Sequence, residues 1–312
     1  MTTIICGVDV SGATLDARIR RDGPHLRVER SCQGIAELAA FCRRHQASLV
    51  VMEASGGYEK LAFALLWQAG LACAIVNPRA VRRFAQAMGY LEKTDRIDAG
   101  VIAHYGAAME LEPQTPDTPA QARLEALALR LRQLTAMRAA QDNQRRLVED
   151  ATALVSIEQT VAFLSGQIRT LEEAIDACLG EDPLWTRLAS AFRAIKGVAD
   201  RTVATVLALM PEIGTLSNKA VAKLAGLAPM ANDGGARSGR RPVRGGRAPL
   251  RALLVFIVGG VARHNQDFRA AHERLTRAGK PKLVIRVALA RKLLVRLNAK
   301  AKEQRRLCQQ TA

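Results

Sequence analysis

This 312-residue sequence lacks several features that define other protein classes. It has no run of about 18 apolar residues, so no membrane-spanning helix is predicted. Its first residues carry no basic stretch before an apolar segment, so no signal peptide is expected. It also lacks the glycine-rich P-loop motif, so nothing indicates a nucleotide cofactor.

The six cysteines form no metal-binding or disulfide pattern, because no two of them have the CxxC spacing. They are Cys6, Cys32, Cys42, Cys73, Cys178 and Cys308. Scattered cysteines of this kind are typical of reduced thiols in a cytoplasmic protein. We therefore expect a cytoplasmic, nucleoid-associated protein without a structural zinc site.

Acidic residues are scarce in the last part of the chain. Residues 191–312 contain 25 Lys and Arg but 6 Asp and Glu, whereas the net charge is +1 over residues 1–112 and −3 over residues 113–190. A biased genome could explain why 36 arginines accompany 10 lysines, but not why the charge lies at one end. This asymmetry predicts a polyanionic partner, bound with release of counterions.

The first third alternates strand and helix signals, which predicts an α/β domain. The predicted strands are residues 3–10, 13–21, 26–31, 48–52 and 71–76, with helices over residues 34–45 and 58–69 and a third starting at Asn77-Pro78. Turn signals at Ser11-Gly12 and Asp22-Gly23-Pro24 make the first three strands an antiparallel meander. The order βββαβαβα matches the ribonuclease H-like fold, in which the first strand lies centrally beside the fourth.

Four carboxylates indicate a site at the edge of this sheet. Asp9 and Glu53 lie at or near the ends of two apolar runs, and Asp95 and Asp98 are three residues apart, so they share one helix face. Burying an unpaired carboxylate is costly, and divalent cations would neutralise this charge. Hard oxygen ligands suit Mg²⁺, or Mn²⁺ as an alternative. The pattern predicts metal-dependent phosphoryl transfer. In the simpler interpretation, Asp9 caps a turn with Ser11-Gly12 and Asp95 is a helix N-cap.

The central region, residues 113–183, predicts two long helices. Thr118 precedes Pro119 as an N-cap, and few glycines or prolines follow it up to residue 178. Apolar residues then recur at heptad-like spacing, at Leu124, Leu127, Leu131 and Leu134 and at Ile157, Val161, Leu164, Ile168, Leu171, Ile175 and Cys178. Such a seam fits a hairpin within one chain or a coiled coil between chains.

The third region, residues 184–312, contains two candidate nucleic-acid contacts. Residues 192–204, including Lys196, resemble a helix-hairpin-helix segment, although Ala199 replaces its second glycine and a plain helical turn is the alternative. Residues 232–251 form a glycine-rich loop with no acid after Asp233, which could follow a nucleic-acid backbone closely; disorder is the alternative. Its arginines are Arg237, Arg240, Arg241, Arg244, Arg247 and Arg251.

The chain as a whole resembles the DEDD transposases of the insertion-sequence-110 family, the bridge-RNA-guided recombinases related to Piv-type DNA invertases. The resemblance rests on the order of several short motifs. They are Gly7-Val8-Asp9, Met52-Glu53-Ala54-Ser55-Gly56-Gly57-Tyr58, Asn77-Pro78, Lys93-Thr94-Asp95-Arg96-Ile97-Asp98-Ala99, Gly226-Leu227-Ala228-Pro229, Gly245-Gly246-Arg247 and Arg263-His264-Asn265.

This resemblance implies an RNase H-like (RuvC-like) N-terminal domain over residues 1–112, in which Asp9, Glu53, Asp95 and Asp98 bind Mg²⁺. It implies central helices used in assembly, a mainly helical transposase domain with a serine nucleophile, and an active site composed across the subunits of a tetramer. We therefore expect a homo-oligomer, either a dimer or a tetramer. It also implies a structured noncoding guide RNA that pairs with donor and target DNA. No membrane partner is implied.

The sequence departs from the family pattern at the expected nucleophile. The family has Asp-Ser-Gly after Gly-Leu-Ala-Pro, whereas this chain has Asp233-Gly234-Gly235. Ser238, four residues further on, is the remaining candidate. Three functions stay open: an RNA-guided DNA recombinase using a serine, a metal-dependent junction nuclease using water, or a non-catalytic relic that binds nucleic acid.

Overall fold

The computed structural model describes residues 4–90, 95–231, 233–234, 237–239 and 241–311; for residues 95–97, 233, 234, 237, 238 and 311 it describes the backbone alone. The chain divides into two compact units, Met1–Asp117 and Thr118–Ala312. The predicted first boundary, after residue 112, lies close to this division. The further division at residues 183 and 184 stays a prediction.

The first unit contains one mixed five-stranded sheet. Its strands are β1 (Ile5–Val10), β2 (Thr14–Ile19), β3 (His25–Glu29), β4 (Leu49–Glu53) and β5 (Cys73–Val76), and its helices are α1 (Cys32–Arg44), α2 (Glu59–Gln68), α3 (Pro78–Ala87) and α4 (Asp95–Ala108). The strand order is β3-β2-β1-β4-β5, with β1 antiparallel to β2 and parallel to β4. The predicted element order and the central position of β1 beside β4 are confirmed.

Local side-chain hydrogen bonds define where several elements begin. The Ser31 hydroxyl accepts a hydrogen bond from the Gly34 amide at the start of α1, and the Asn77 side chain accepts one from the Arg79 amide at the start of α3. In the turn between β1 and β2, Ser11 Oγ accepts from the Thr14 amide and also contacts the Thr14 carbonyl. The Ser11 hydroxyl therefore stabilises this turn, and the alternative role of Asp9 as a cap of the same turn stays a prediction.

The two faces of the sheet carry different cores. Cys6, Val8 and Val10 of β1 lie in a cluster with residues of α1 and α2. Residues of the opposite parity, including Ile5 and Val51, pack with α4 on the other face. Side chains alternate between the two faces along a strand. The position of any strand residue relative to these core residues therefore tells which face of the sheet its side chain occupies.

The second unit is helical apart from a short hairpin. Its elements are α5 (Pro119–Arg145), α6 (Ala151–Glu181), α7 (Pro183–Arg193), α8 (Asp200–Leu209), α9 (Asn218–Leu224), β6 (Asp233–Gly234), β7 (Arg237–Ser238), α10 (Ala248–His264), α11 (Gln266–Arg277) and α12 (Lys282–Thr311). No helix in the described part of the chain is long and apolar enough to cross a membrane.

The two long central helices pack against each other within one chain. The predicted cap is present, since Thr118 Oγ1 accepts a hydrogen bond from the Gln121 amide and Pro119 occupies the first turn. Leu124 and Leu131 of α5 and Leu164 and Ile168 of α6 are buried in a core shared with α7, α8, α10 and α12. The seam thus forms an intrachain hairpin, while a coiled coil between chains stays a prediction.

None of the six cysteines forms a disulfide in this structure. Burial, reinforced by the neighbouring Cys42, raises the pKa of the Cys73 thiol to about 12. Such a thiol is protonated and unreactive at neutral pH, as expected of a core residue.

Candidate active site

The missing side chain of Gly7 lets helix α4 approach strand β1 closely. A Cβ atom at Gly7 would lie 2.1 Å from the Ala99 carbonyl oxygen and 2.4 Å from the Ala103 amide nitrogen. Further along the helix, a Cβ atom at Gly106 would lie 2.8 Å from a Val51 methyl group. Helix α4 therefore runs against β1 with its N-terminal end toward the C-terminal end of the strand.

This packing places the predicted carboxylates on one face of the sheet. Asp9 has the parity of Gly7, and Glu53 has the parity of Val51, so both belong to the face that α4 covers. Val8 pairs with Met52, which makes Asp9 and Glu53 the next positions on two adjacent parallel strands. The interpretation of Asp9 and Glu53 as neighbours at the sheet edge agrees with this register.

The backbone of the other two predicted acidic residues forms the first turn of α4. Asp98 immediately precedes Ala99, and Asp95 is the first residue of the helix, one turn closer to the level of Asp9. The predicted packing of this helix over the strands is confirmed. The Asp95 side chain lies outside the described part, and among the described side chains no three acidic, His or Cys residues form a ready metal cluster.

The arrangement also includes an acid that the sequence analysis missed. Asp16 of β2 pairs directly with Asp9 and is 3% exposed. Directly opposed residues of an antiparallel pair lie on the same face, so Asp16 adjoins the predicted site. Its carboxylate lies 3.2 Å from His25 Nε2, within hydrogen-bond distance, and 3.6 Å from Arg27 Nε, whose positive charge offsets that of the carboxylate. The sequence does show that Asp16 is a charged residue inside a predicted strand. It does not show that Asp16 lies opposite Asp9, because that pairing depends on the register of the two strands.

A second missed acid, Glu59, holds the loop that follows Glu53. Glu59 is 6% exposed, and its Oε2 accepts hydrogen bonds from the Ser55 and Gly57 amides, both at 2.9 Å. Ser55 Oγ in turn donates to the Glu53 carbonyl at 3.0 Å. Glu59 thus satisfies two backbone donors and fixes the chain just after a predicted metal ligand.

The glycine-rich segment of the second unit folds back on itself, so that its two ends pair as the arms of a hairpin. Pro229 pairs with Val243, and the Met230 amide donates to the Pro242 carbonyl at 3.0 Å. Further out, Asp233 pairs with Ser238 through the backbones of β6 and β7. Asn232, Gly235, Ala236 and Arg240 lie outside the described residues. The candidate nucleophile Ser238 is therefore on the outer strand pair of this hairpin.

Two glycines close the base of the hairpin. Gly226 and Gly246 have φ angles of 68° and 62°, and a Cβ atom at Gly246 would lie 2.3 Å from the Gly226 amide nitrogen. Any other residue would add a clash to a strained left-handed conformation. The family-like motifs at residues 226–229 and 245–247 meet here.

Arg247 anchors the same base through a bidentate ion pair. Its two terminal nitrogens donate to the Glu212 carboxylate at 2.7 and 2.6 Å, and Nη1 also donates to the Leu209 carbonyl at 2.7 Å. Burial alone would raise the pKa of Glu212, but the hydrogen bonds and charge of Arg247 lower it overall. The structure thus gives Arg247 structural partners, in addition to the nucleic-acid role predicted for it.

The other predicted nucleic-acid contacts differ in how they are held. Arg251 donates to the Gly245 carbonyl at 2.5 Å and so also supports the hairpin base. Arg241, Arg244 and Lys196 are exposed. Arg237 is described by its backbone alone. Lys196 lies in the turn between α7 and α8, where Gly197, with a φ angle of 93°, packs against Val261 of α10.

The first unit thus carries acidic residues on one face of a mixed sheet, and residues 191–312 of the second unit are strongly basic. The family profile described as "Transposase" of the DEDD, IS110 type matches residues 6–150, and the profile "Transposase IS116/IS110/IS902 family" matches residues 189–273. The chain therefore belongs to the IS110 family of transposases, enzymes that recombine DNA by strand transfer.

The chain is also similar to curated proteins over nearly its whole length. It is 26% identical to the pilin gene-inverting proteins of Moraxella lacunata and Moraxella bovis, over 316 aligned residues that cover 94% of each chain. DEDD transposases generally use divalent metal ions. The comparisons thus agree with the resemblance on which the sequence analysis rests.

Proposed function

We propose that the carboxylate face of the first unit is the strand-cleavage centre of an RNA-guided DNA transposase with an RNase H-like catalytic domain. The observation that carries this proposal is the shared face: Asp9 and Glu53 end adjacent parallel strands, and α4 brings the backbone of Asp95 and Asp98 to the same edge. Oxygen donors of this kind fit Mg²⁺ or Mn²⁺. Asp95, whose side chain lies outside the described part, is the fourth ligand in this proposal.

In this proposal the residues of the first unit position the scissile phosphate. Asp9 and Glu53 lie at adjacent positions of β1 and β4, and Asp95 and Asp98 belong to the first turn of α4. The chemistry that two divalent ions supply when bound is charge stabilisation at the attacking and leaving oxygens. Glu59 keeps the chain after Glu53 fixed. Arg27 offsets the charge of Asp16, which lowers the repulsion among the neighbouring carboxylates.

Ser238 is the nucleophile that we propose. Its hydroxyl releases a proton to solvent and its oxygen forms a bond to phosphorus, while the bond from phosphorus to a sugar oxygen breaks and that oxygen takes up a proton. The product is a DNA end attached to serine, which preserves the phosphodiester energy for strand exchange. Support comes from the hairpin register, which brings Ser238 into the strand pair that also contains Gly234.

We propose that the second unit binds the nucleic acids, namely donor and target DNA and a structured noncoding guide RNA. The charge of residues 191–312 and the exposure of Lys196, Arg241 and Arg244 support this assignment. Arg237 and Arg240 are included in this proposal on their sequence alone, and Arg247 and Arg251 hold the base of the hairpin. The central hairpin carries exposed apolar residues, among them Phe163 and Met137, which fit assembly into a dimer or tetramer.

A second function, a metal-dependent nuclease that uses water, is favoured by one observation. Gly234 occupies the position where the family has its serine, and glycine carries no hydroxyl. The same observation would fit a nucleic-acid-binding relic if no cleavage occurs.

Covalent trapping distinguishes these functions. The full chain is incubated with Mg²⁺, guide RNA and labelled DNA spanning the element junction, then denatured and separated by electrophoresis. We expect a protein–DNA adduct that disappears in Ser238→Ala and in Asp9→Asn. Cleavage without any adduct, unchanged in Ser238→Ala, would favour the water-dependent nuclease. If the unmodified protein cleaves no DNA, the remaining function is that of a non-catalytic relic that binds nucleic acid.

A further inference from the structure

Tyr58 is an exposed aromatic side chain that is nevertheless held in place. It is 51% exposed, and the Arg30 guanidinium carbon lies 5.0 Å from the centre of its ring. Arg30 is itself fixed, because its Nε donates to the Gly12 carbonyl at 2.9 Å. A Cβ atom at Gly12 would lie 3.8 Å from Tyr58 Cζ, so the ring also covers this glycine.

The backbone that carries Tyr58 is fixed as well. The loop turns through Gly56 and Gly57, with φ angles of 75° and 112°, and the buried Glu59 carboxylate accepts hydrogen bonds from the Ser55 and Gly57 amides. A ring presented on such a loop loses little conformational freedom when a ligand stacks on it. Tyr58 is therefore preorganised rather than merely exposed.

The position of this ring relates it to the proposed active site. Gly12 follows Asp9 by three residues, and Tyr58 follows Glu53 by five. The Tyr58–Gly12–Arg30 cluster thus joins the two loops that leave the acid-bearing ends of β1 and β4. A DNA strand that reaches those carboxylates is repelled by them, so an uncharged stacking contact and a nearby cation would both help to retain it.

We propose that Tyr58 is a stacking platform for an unpaired base of the DNA strand beside the cleaved phosphate, with Arg30 holding the ring and supplying positive charge. This assignment rests on the proposed function. Aromatic side chains stack on nucleobases irrespective of sequence. Inside a duplex both faces of a base are covered, so the ligand is a base that is unstacked at the cleavage junction. Tyr58 positions the strand and takes no part in bond making.

The test uses the full chain carrying Asp9→Asn, so that the DNA stays uncut. Junction DNA carries the fluorescent base 2-aminopurine, placed in turn at the positions flanking the cleaved phosphate, and guide RNA is present. We expect stacking to quench the fluorescence at one position. Tyr58→Phe should preserve the quenching, whereas Tyr58→Ala and Tyr58→Leu should abolish it and weaken binding of the junction DNA by roughly 5- to 150-fold.

Phe256→Ala is the matched control, because Phe256 is an 82% exposed aromatic residue of the second unit. It should leave the quenching unchanged. Equal quenching in Tyr58→Ala would overturn the proposal, as would Tyr58-dependent quenching of 2-aminopurine in the guide RNA but not in DNA. Cleavage by the protein with Asp9 and Tyr58 intact is assayed separately. Its absence would count against the proposed function, whereas unchanged fluorescence in the variants counts against Tyr58 alone.

Discussion

The two units bring distant chain segments together by different physical means. In the first unit, Gly7 lets α4 lie directly on β1, and the contact consists of backbone and small apolar groups. In the second unit, Gly226 and Gly246 likewise permit a close approach, but the Arg247–Glu212 ion pair adds a charged clasp. The packing of α4 on β1 should therefore persist over a wide range of salt and pH, whereas the hairpin base should respond to both.

The largest effect should come from filling the contact in the first unit. Gly7→Ala adds a methyl group 2.1 Å from the Ala99 carbonyl, so helix α4 must move. We expect a loss of about 3 kcal/mol or more in the free energy of unfolding, at the upper end of overpacking effects. Thermal unfolding of the full chain and hydrogen exchange in α4 would measure it.

A matched glycine shows whether the close contact is the cause. A Cβ atom at Gly166 in α6 would meet nothing within 4 Å. Gly166→Ala should be neutral, or stabilise the protein by roughly 0.5–1 kcal/mol through higher helix propensity. If Gly7→Ala were tolerated equally well, the assigned packing of α4 on β1 would be wrong.

Weakening the Arg247–Glu212 ion pair should have the next largest effect on stability. Arg247→Lys keeps the charge but loses the bidentate geometry and the bond to the Leu209 carbonyl. We expect a loss of about 1.5–3 kcal/mol in the free energy of unfolding, the range for hydrogen bonds to charged groups, and faster proteolysis within residues 230–245. Arg244→Lys, at an exposed position, is the control and should change neither the stability nor the rate of proteolysis. Equal proteolysis of both variants would show that the Arg247–Glu212 ion pair does not hold the base of the hairpin.

Acid should loosen the hairpin base through Glu212. The folded-state pKa of Glu212 lies below its ordinary value of 4.5, so its stabilising effect is complete above that value and is lost as the pH falls through the lowered pKa. The Arg247 amide, which donates to the Leu224 carbonyl, reports on this through hydrogen exchange. Protection should fall on acidification, and Glu212→Gln should abolish that pH dependence. An unchanged profile in the variant would assign the transition to another group.

The smallest change should come from a single exposed cation. Arg244→Ala should reduce the slope of log affinity against log salt by about 1, the value for one lost phosphate contact. Titration of labelled DNA at several salt concentrations would measure this slope. Since Arg247 is already paired with Glu212, any loss of affinity in Arg247→Lys should be accompanied by loss of stability. A salt slope unaffected by Arg244→Ala would remove this residue from the binding surface.

Local patterns predicted most of the fold. Apolar runs and turn residues located the five strands, and Thr118-Pro119 located the start of α5, because these signals lie within a few residues of the structure they specify. The carboxylates Asp9 and Glu53 were placed correctly at strand ends for the same reason. The heptad seam predicted the packed helices but not whether their partner lay in the same chain.

Contacts between distant residues could not be predicted in this way. Asp16 adjoins Asp9 only because of the register of an antiparallel pair, and Glu59 matters because a loop with two positive-φ glycines folds back onto it. Arg247 was grouped with the nucleic-acid-binding arginines, since its partner Glu212 is 35 residues away in sequence. Such pairings depend on tertiary packing, which a single sequence does not reveal.

Divalent-cation binding at the acidic face tests the central claim most directly. Mn²⁺ binding to the full chain would be measured by calorimetry and by electron paramagnetic resonance, without nucleic acid. Asp9→Asn should weaken binding by at least roughly 10-fold, because even the loss of an outer partner of a metal ligand costs that much. Asp22→Asn, at an exposed acid paired with Arg21 in the same unit, should bind like the unmodified protein. Equal Mn²⁺ affinity in Asp9→Asn and Asp22→Asn would contradict the account.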